Sequence, residues 1–213
     1  LRFVFVPETI GAIAYIKKNL SNLKRKVFAG YSITRIGDER KYSFLPTKYE
    51  NTITDRAAFK AFKALNLKFD RYNFFEHKGS DERQFNSPGV DIPVACVMRS
   101  RSYPEYHTSS DDFKLVTKKG LYGGYKVMEK IIFILQNNLR PISKYHCEPQ
   151  MGKRNLYSVW GQDKSWSTAK YLMNFLQYAD GKNDLIDISE ILKINFQTTL
   201  RFFKILKENN LIK

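Results

Sequence analysis

The apolar residues of the chain fall into short runs that switch between two periods. RFVFV, residues 2–6, is apolar without a break after Arg2 and reads as a buried strand. Directly after it, Ile10, Ile13, Ala14 and Ile16 recur at helical spacing in ETIGAIAYIKKNLSNLKR, with the charges gathered towards its end. KVFAGYSITRIG and KYSFLP predict a second and a third strand, and TDRAAFKAFKAL predicts a helix opened by Thr54 and Asp55, residues that favour a first turn. FDRYNFFE is a further strand candidate. So is DIPVACVM, bounded by NSPG before it and RSRS after it. LYGGYKVMEKIIFILQNNL reads as a long amphipathic helix. Strands alternating with helices predict an α/β fold with a mixed sheet flanked by helices.

Near residue 150 the pattern stops. HCEPQMGKRNLYSVWGQDKS carries Pro, Gly and Ser without apolar periodicity and reads as a connector. Beyond it lie three short helices, STAKYLMNFLQYA, DISEILKI and TTLRFFKILKEN, the second opened by Asp187 with Glu190 three residues on as in a capping box. Leu172, Phe175, Leu176, Ile188, Ile191, Leu192, Leu200, Phe203 and Leu206 are the expected shared core. The chain therefore divides into an α/β domain over 1–151 and a small winged helix-turn-helix-like domain over 152–213.

Of the 213 residues, 43% are hydrophobic and 15% aromatic, which is enough to bury a core and argues against disorder. The formal net charge of +15 allows contact with nucleic acid or another polyanion, and equally fits a lysine-rich chain with no such partner. Residues 153–213 hold ten Lys or Arg and six Asp or Glu, so the tail is not where the positive charge concentrates. Packing or a homo-oligomer interface is the preferred role for the tail over DNA binding. Two distant cysteines, Cys96 and Cys147, suggest neither a disulfide framework nor a cysteine metal site and fit a cytoplasmic protein. No apolar run is long enough to span a membrane, so no membrane partner is expected. The start inside a strand-like run predicts that further residues precede Leu1.

Candidate chemistry collects around YPEYHTSSDD, residues 103–112. His107 follows a tyrosine and precedes a threonine and two carboxylates, and the strand leading to it is preceded by GSDERQFNSPG, where Gly79, Pro88 and Gly89 break regular structure. Loops of this sort at a sheet edge build ligand sites, and a carboxylate such as Asp81 brought near a histidine suggests a metal centre or an acid–base pair. The alternative is that Asp81 caps a turn or pairs with Arg83. Arg99 and Arg101, on the approach to His107, are placed to bind a substrate carboxylate in a fork or to pair with Glu105 or Asp112. His77 and His146 read as structural or surface residues.

The spacing of Ser80-Asp81, Phe85, Gly89, Pro93 and Tyr106-His107-Thr108 with Asp111 resembles the co-catalytic zinc aminopeptidase family, which also includes glutaminyl cyclases. VPETIGAIAYI, GSDERQF, SPGVDIPV, PEYHTS, EPQMGKRNLY and the helical tail resemble more closely a bacterial and archaeal group with an aminopeptidase-like domain, some members of which are named as polysaccharide-biosynthesis proteins. The resemblance implies a zinc-exopeptidase-like fold whose amino half lies outside these residues, and a hydrolase that cleaves a peptide or related amide with metal-activated water. It implies His107 as a zinc ligand, one zinc ion with its other ligands upstream, and Glu8 as general base. It further implies Tyr106 as oxyanion donor and Asp111 as a residue that orients the His107 loop. Three positions depart from the family pattern: Thr9 and Thr34 stand where carboxylate ligands are expected, and Glu82 replaces the histidine of Ser-Asp-His. Thr9 and Thr34 favour the alternative of a degenerate peptidase scaffold acting as a binding or regulatory module through its winged-helix domain, whereas Glu8, Asp81, Tyr106, His107 and Asp111 together favour the hydrolase.

Overall fold

A computed structural model describes the backbone of residues 1–156 and 163–213, and the side chains of all of these but 163–167. Contacts divide it into a unit spanning Leu1–Ile132 and a unit spanning Phe133–Lys213. The expected boundary at 151/152 lies well downstream of that division, and residues 157–162 of the expected connector lie outside the described residues.

The first unit is built on a mixed four-stranded sheet of order β1-β4-β2-β3. β1 (Gly30–Ile33) runs parallel to β4 (Val94–Met98), β4 antiparallel to β2 (Tyr42–Leu45), and β2 parallel to β3 (Phe69–Arg71). The register sets Ser43 opposite Met98, Phe44 opposite Val97 and Leu45 opposite Cys96. Since side chains alternate with a period of two, Leu45, Cys96 and Met98 share one face while Tyr42, Phe44 and Val97 share the other. Against the second face α2 (Ile53–Ala64) buries Ala57, Ala58, Ala61 and Phe62, and Phe44 meets Phe59 edge-on with ring centroids 5.1 Å apart. Against the first, Ile16 and Leu23 of α1 (Ile10–Lys26) cluster with Ile92 and Val94.

Two strand expectations change. RFVFV is not a strand: residues 1–7 have no regular structure, and Phe3 and Phe5 are 71% and 94% exposed. A strand needs a neighbour to exchange backbone hydrogen bonds with, and none of the described residues pairs with this run. FDRYNFFE is strand only over Phe69–Arg71. Asn73 then accepts a hydrogen bond from the Glu76 amide at 2.8 Å and opens the single helical turn α3 (Phe74–His77), with a second turn, α4 (Glu82–Phe85), close behind. α5 (Lys118–Asn137) starts in backbone contact with the loop after β1, because a Cβ on Gly120 would stand 1.9 Å from the Gly37 carbonyl oxygen.

The second unit holds α6 (Asp163–Tyr178), α7 (Leu185–Ile191) and α8 (Phe196–Glu208), and Leu172, Phe175, Ile188, Leu200, Phe203 and Leu206 are buried as expected. Ile191 is not; it is 41% exposed. The α7 N-cap is Asp184 rather than Asp187. Asp184 Oδ1 accepts from the Asp187 amide, and Asp187 in turn accepts from the Asp184 amide, both at 3.0 Å. Ile142 bridges to Asp180 and Ser143 to Ile212, so the short tail and the segment before the expected connector pair with each other. That pairing draws residues 139–145 into the second unit and explains why the division falls upstream of the change in composition.

Candidate functional site

A cavity of about 480 Å³ opens in the first unit over the face formed by Leu45, Cys96 and Met98. Segments distant in the sequence bring Glu8, Arg101, Tyr106 and His107 to its walls. Of the residues expected to act together, these four are brought together; Asp81, Arg99 and Asp111 do not line the cavity.

Glu8 sits in the turn before α1 and is held by the Gly79–Arg83 loop. The Ser80 hydroxyl donates to Glu8 Oε1 at 2.7 Å, the Thr9 amide donates to Asp81 Oδ1 at 2.8 Å, and Arg83 donates to the Thr9 hydroxyl at 3.1 Å. Asp81 is thus spent on positioning the turn that carries Glu8. Thr9 has φ +62°, a left-handed conformation that costs a β-branched residue and persists only where the surroundings impose it. The three ties from the loop supply that constraint.

His107 is exposed, has φ +60°, and stacks on Tyr106 with ring centroids 3.8 Å apart. The Arg35 guanidinium lies 5.1 Å from the centroid of the same Tyr106 ring. Asp111 makes its contact with Tyr103, whose hydroxyl donates to Asp111 Oδ2 at 2.9 Å. Burial, and then this carboxylate, push the Tyr103 phenol up to about 12. Asp111 therefore braces the histidine loop through Tyr103.

The two arginines expected as a pair part company. Arg101 lines the cavity and donates to the His77 carbonyl oxygen at 2.5 Å. Arg99 follows Met98 and by alternation takes the other face. It is 8% exposed, its guanidinium lies 3.7 Å from the Tyr42 ring centroid, and it donates to the Arg40 carbonyl oxygen at 2.9 Å. Neither pairs with Glu105, which is engaged by Arg40 at 2.9 Å. The second guanidinium of the cavity is Arg35, which donates to the Arg101 carbonyl oxygen at 2.6 Å and to Met98 Sδ at 3.2 Å. It follows the end of β1, the strand parallel to β4, and that pairing is not readable from the sequence.

Thr34 and Glu82, two of the departures from the family pattern, both line the cavity. Glu82 is fully buried. Its Oε1 accepts from the amides of Gly79 and Ser80 at 2.8 and 3.0 Å, while Oε2 has no hydrogen-bond partner among the described residues. The Cys96 thiol in the floor is pushed well up, first by burial and then by the Glu82 charge. His77 lines the wall with an Nδ1 that lies 3.8 Å from Glu76 Oε2 and makes no hydrogen bond among the described residues, whereas His146 is exposed in the second unit. Among the described residues, no three His, Cys, Asp or Glu side chains are grouped so as to hold a metal ion. His107 is a single imidazole, and the side chains described do not by themselves complete a metal centre.

The family model described as "Domain of unknown function (DUF4910)" matches residues 1–138, and one described as "winged helix-turn-helix" matches residues 139–213. A Clostridium acetobutylicum protein named "Putative polysaccharide biosynthesis protein with aminopeptidase-like domain" is 36% identical over 191 residues, which make up 88% of this chain and 44% of that one. The crystal structure of a "putative peptidase" from Clostridium acetobutylicum superposes with a TM-score of 0.83 at 32% identity, covering 97% of this chain and 46% of that one. The aminopeptidase from Aneurinibacillus sp. strain AM-1 shares the fold, with a TM-score of 0.51 at 16% identity over 59% of this chain and 30% of its own. The chain thus spans less than half the length of the relatives it matches. Among the described residues, no helix is long and apolar enough to cross a membrane.

Proposed function

The chain belongs to the DUF4910 family, and we propose that its aminopeptidase-like unit forms part of a zinc-dependent hydrolase that cleaves a peptide or related amide bond. The observation that carries this reading is the meeting of Glu8, Tyr106 and His107 in one cavity, although about a hundred residues of chain separate the first from the other two.

In this reading Glu8 takes the proton of the attacking water and delivers it to the leaving amine. Ser80 holds its carboxylate in place for both steps. Tyr106, stacked on His107 and facing Arg35, presents its hydroxyl to the developing oxyanion. His107 is one ligand of a single zinc ion. The remaining ligands come from the part of the protein that the relatives carry and these 213 residues do not span. When bound, zinc supplies a polarised carbonyl and a water of lowered pKa. The winged-helix unit packs or assembles rather than reading DNA, and a reducing cytoplasm suits the two free thiols.

The test is hydrolysis of a panel of aminoacyl anilides by the full-length protein and by Glu8→Gln. We expect kcat/KM to fall by about 10²–10⁴ in the variant. A wild-type protein that cleaves none of them, or a variant as active as wild type, rejects the reading. One observation favours a second reading: Thr34 lines the cavity where the family pattern expects a carboxylate ligand. In that case the cavity binds without cleaving, and ligands shift the melting temperature while no product forms.

A further inference from the structure

Two fully buried carboxylates in the first unit are treated very differently by their surroundings. Asp55 accepts from the Thr47 amide on Oδ1, and from the Thr47 hydroxyl, the Thr52 amide and the Thr52 hydroxyl on Oδ2, at 2.6–2.9 Å. Glu82, equally buried, has donors on Oε1 only, and among the described residues its Oε2 is left without one. A buried charged oxygen without a donor is costly, and in a native fold it calls for a missing partner. Glu82 is one of the residues lining the cavity, so the cavity is the side on which that partner would lie.

The opposite charge is present in the same walls. Arg35 and Arg101 both line the cavity, and each is fixed by donation to a backbone carbonyl oxygen. Among the described residues neither forms an ion pair, and none of their nitrogens is both buried and partnerless. A guanidinium carries five N–H donors, and the bonds to the carbonyl oxygens and to Met98 Sδ use two on Arg35 and one on Arg101, so each keeps donors for a ligand. Stacking of Arg35 against Tyr106 and of Arg101 against Tyr72, at 5.1 and 5.3 Å, orients both planes in advance.

We propose that this wall is a subsite for an acidic residue with a free amino group, with the carboxylate held by Arg35 and Arg101 and the ammonium by Glu82 Oε2. The inference deepens the hydrolase reading by naming its substrate class, an amide whose acyl part is acidic and whose amine is free, and it rests on that reading only for what happens to the ligand after binding. Guanidinium forks match a carboxylate in geometry and charge, and a single buried carboxylate oxygen matches an ammonium.

The experiment is calorimetric titration of the full-length protein with three probes: L-glutamic acid α-amide, L-glutamine α-amide and glutaramic acid. The first carries both charges, the second lacks the side-chain carboxylate, and the third lacks the ammonium. Wild type is expected to bind the first about tenfold or more tightly than either of the others. Arg35→Gln and Arg101→Gln erase the advantage over L-glutamine α-amide, Glu82→Gln erases the advantage over glutaramic acid, and Arg140→Gln, an exposed site in the second unit, changes neither. Equal binding of all three probes by wild type, or variants that discriminate as wild type does, overturns the proposal. Should a glutamine variant fail to fold, phenylglyoxal labelling of wild type decides instead. L-glutamic acid α-amide must protect Arg35 and Arg101 from modification, and absence of protection counts against the subsite. Discrimination by these residues without any amide cleavage keeps the subsite and removes the hydrolase reading. Cleavage of neutral amides as fast as acidic ones, unchanged in the arginine variants, does the reverse.

Discussion

The Ser80 hydroxyl donates to Glu8 Oε1 across 2.7 Å, joining residues 72 apart in the sequence at the mouth of the cavity. With the adjacent bond from the Thr9 amide to Asp81, it sets where the Glu8 carboxylate points. In the hydrolase reading Glu8 is the general base and must sit within hydrogen-bond reach of the proton it removes, so on that reading the tie serves catalysis more than stability. Ser80→Ala is expected to lower kcat roughly tenfold with little change in KM or melting temperature. A loss confined to stability would show that the bond serves only the fold.

Arg99 and Arg101 are two residues apart and have separate tasks. Arg99 lies over Tyr42 and bonds to the Arg40 carbonyl oxygen inside the protein, so Arg99→Ala is expected to destabilise by about 2 kcal/mol. Arg101→Ala, at a partly exposed position beside the cavity, is expected to cost less than about 1 kcal/mol. Urea titration of both variants checks the order, and a reversed order contradicts the placement of the two side chains.

Gly120→Ala places a methyl group 1.9 Å from the Gly37 carbonyl oxygen, at a backbone-to-backbone approach that a rotamer change cannot relieve. The expected result is a loss of about 3 kcal/mol or more, or failure to fold. Gly79→Ala is the control, because the nearest atom its new methyl meets is the His77 carbonyl oxygen at 3.8 Å. Equal thermal stability of the two variants would contradict the packing at the start of α5.

Tyr103 titrates near 12, raised first by burial and then by the Asp111 carboxylate. A phenol whose folded pKa exceeds its unfolded value of about 10 stabilises the fold fully below that unfolded value, and the contribution fades as pH climbs from there towards 12. Asp111→Asn should bring the titration down part of the way, because the larger cause remains. Tyrosinate absorbance, read as the difference between each protein and its Tyr103→Phe counterpart, follows this group. A Tyr103 that ionises near 10 in the intact protein rejects the contact.

Much of the first unit was legible because its periodicities are local. In DIPVACVM, alternation alone separates Val94, Cys96 and Met98 from Val97. RFVFV shows where local pattern fails: apolarity proposes a strand, but pairing makes one, and pairing is not encoded in the run itself. Asp184 and Asp187 are both good caps by type, and only the backbone geometry decides which of them stands at the N-cap. The candidate site divides in the same way. The family resemblance pointed to Glu8, Tyr106 and His107, and the three line one cavity. Arg35 and the free oxygen of Glu82 depend on which segments fold against one another, and spacing along the chain carries no trace of that.

The most direct test of the central claim is the zinc content of the full-length protein, purified without added metal or chelator, beside His107→Ala. One firmly bound zinc per chain in the wild type, lost in the variant, is the predicted result. A wild type without zinc, or a variant that retains the full amount, contradicts it.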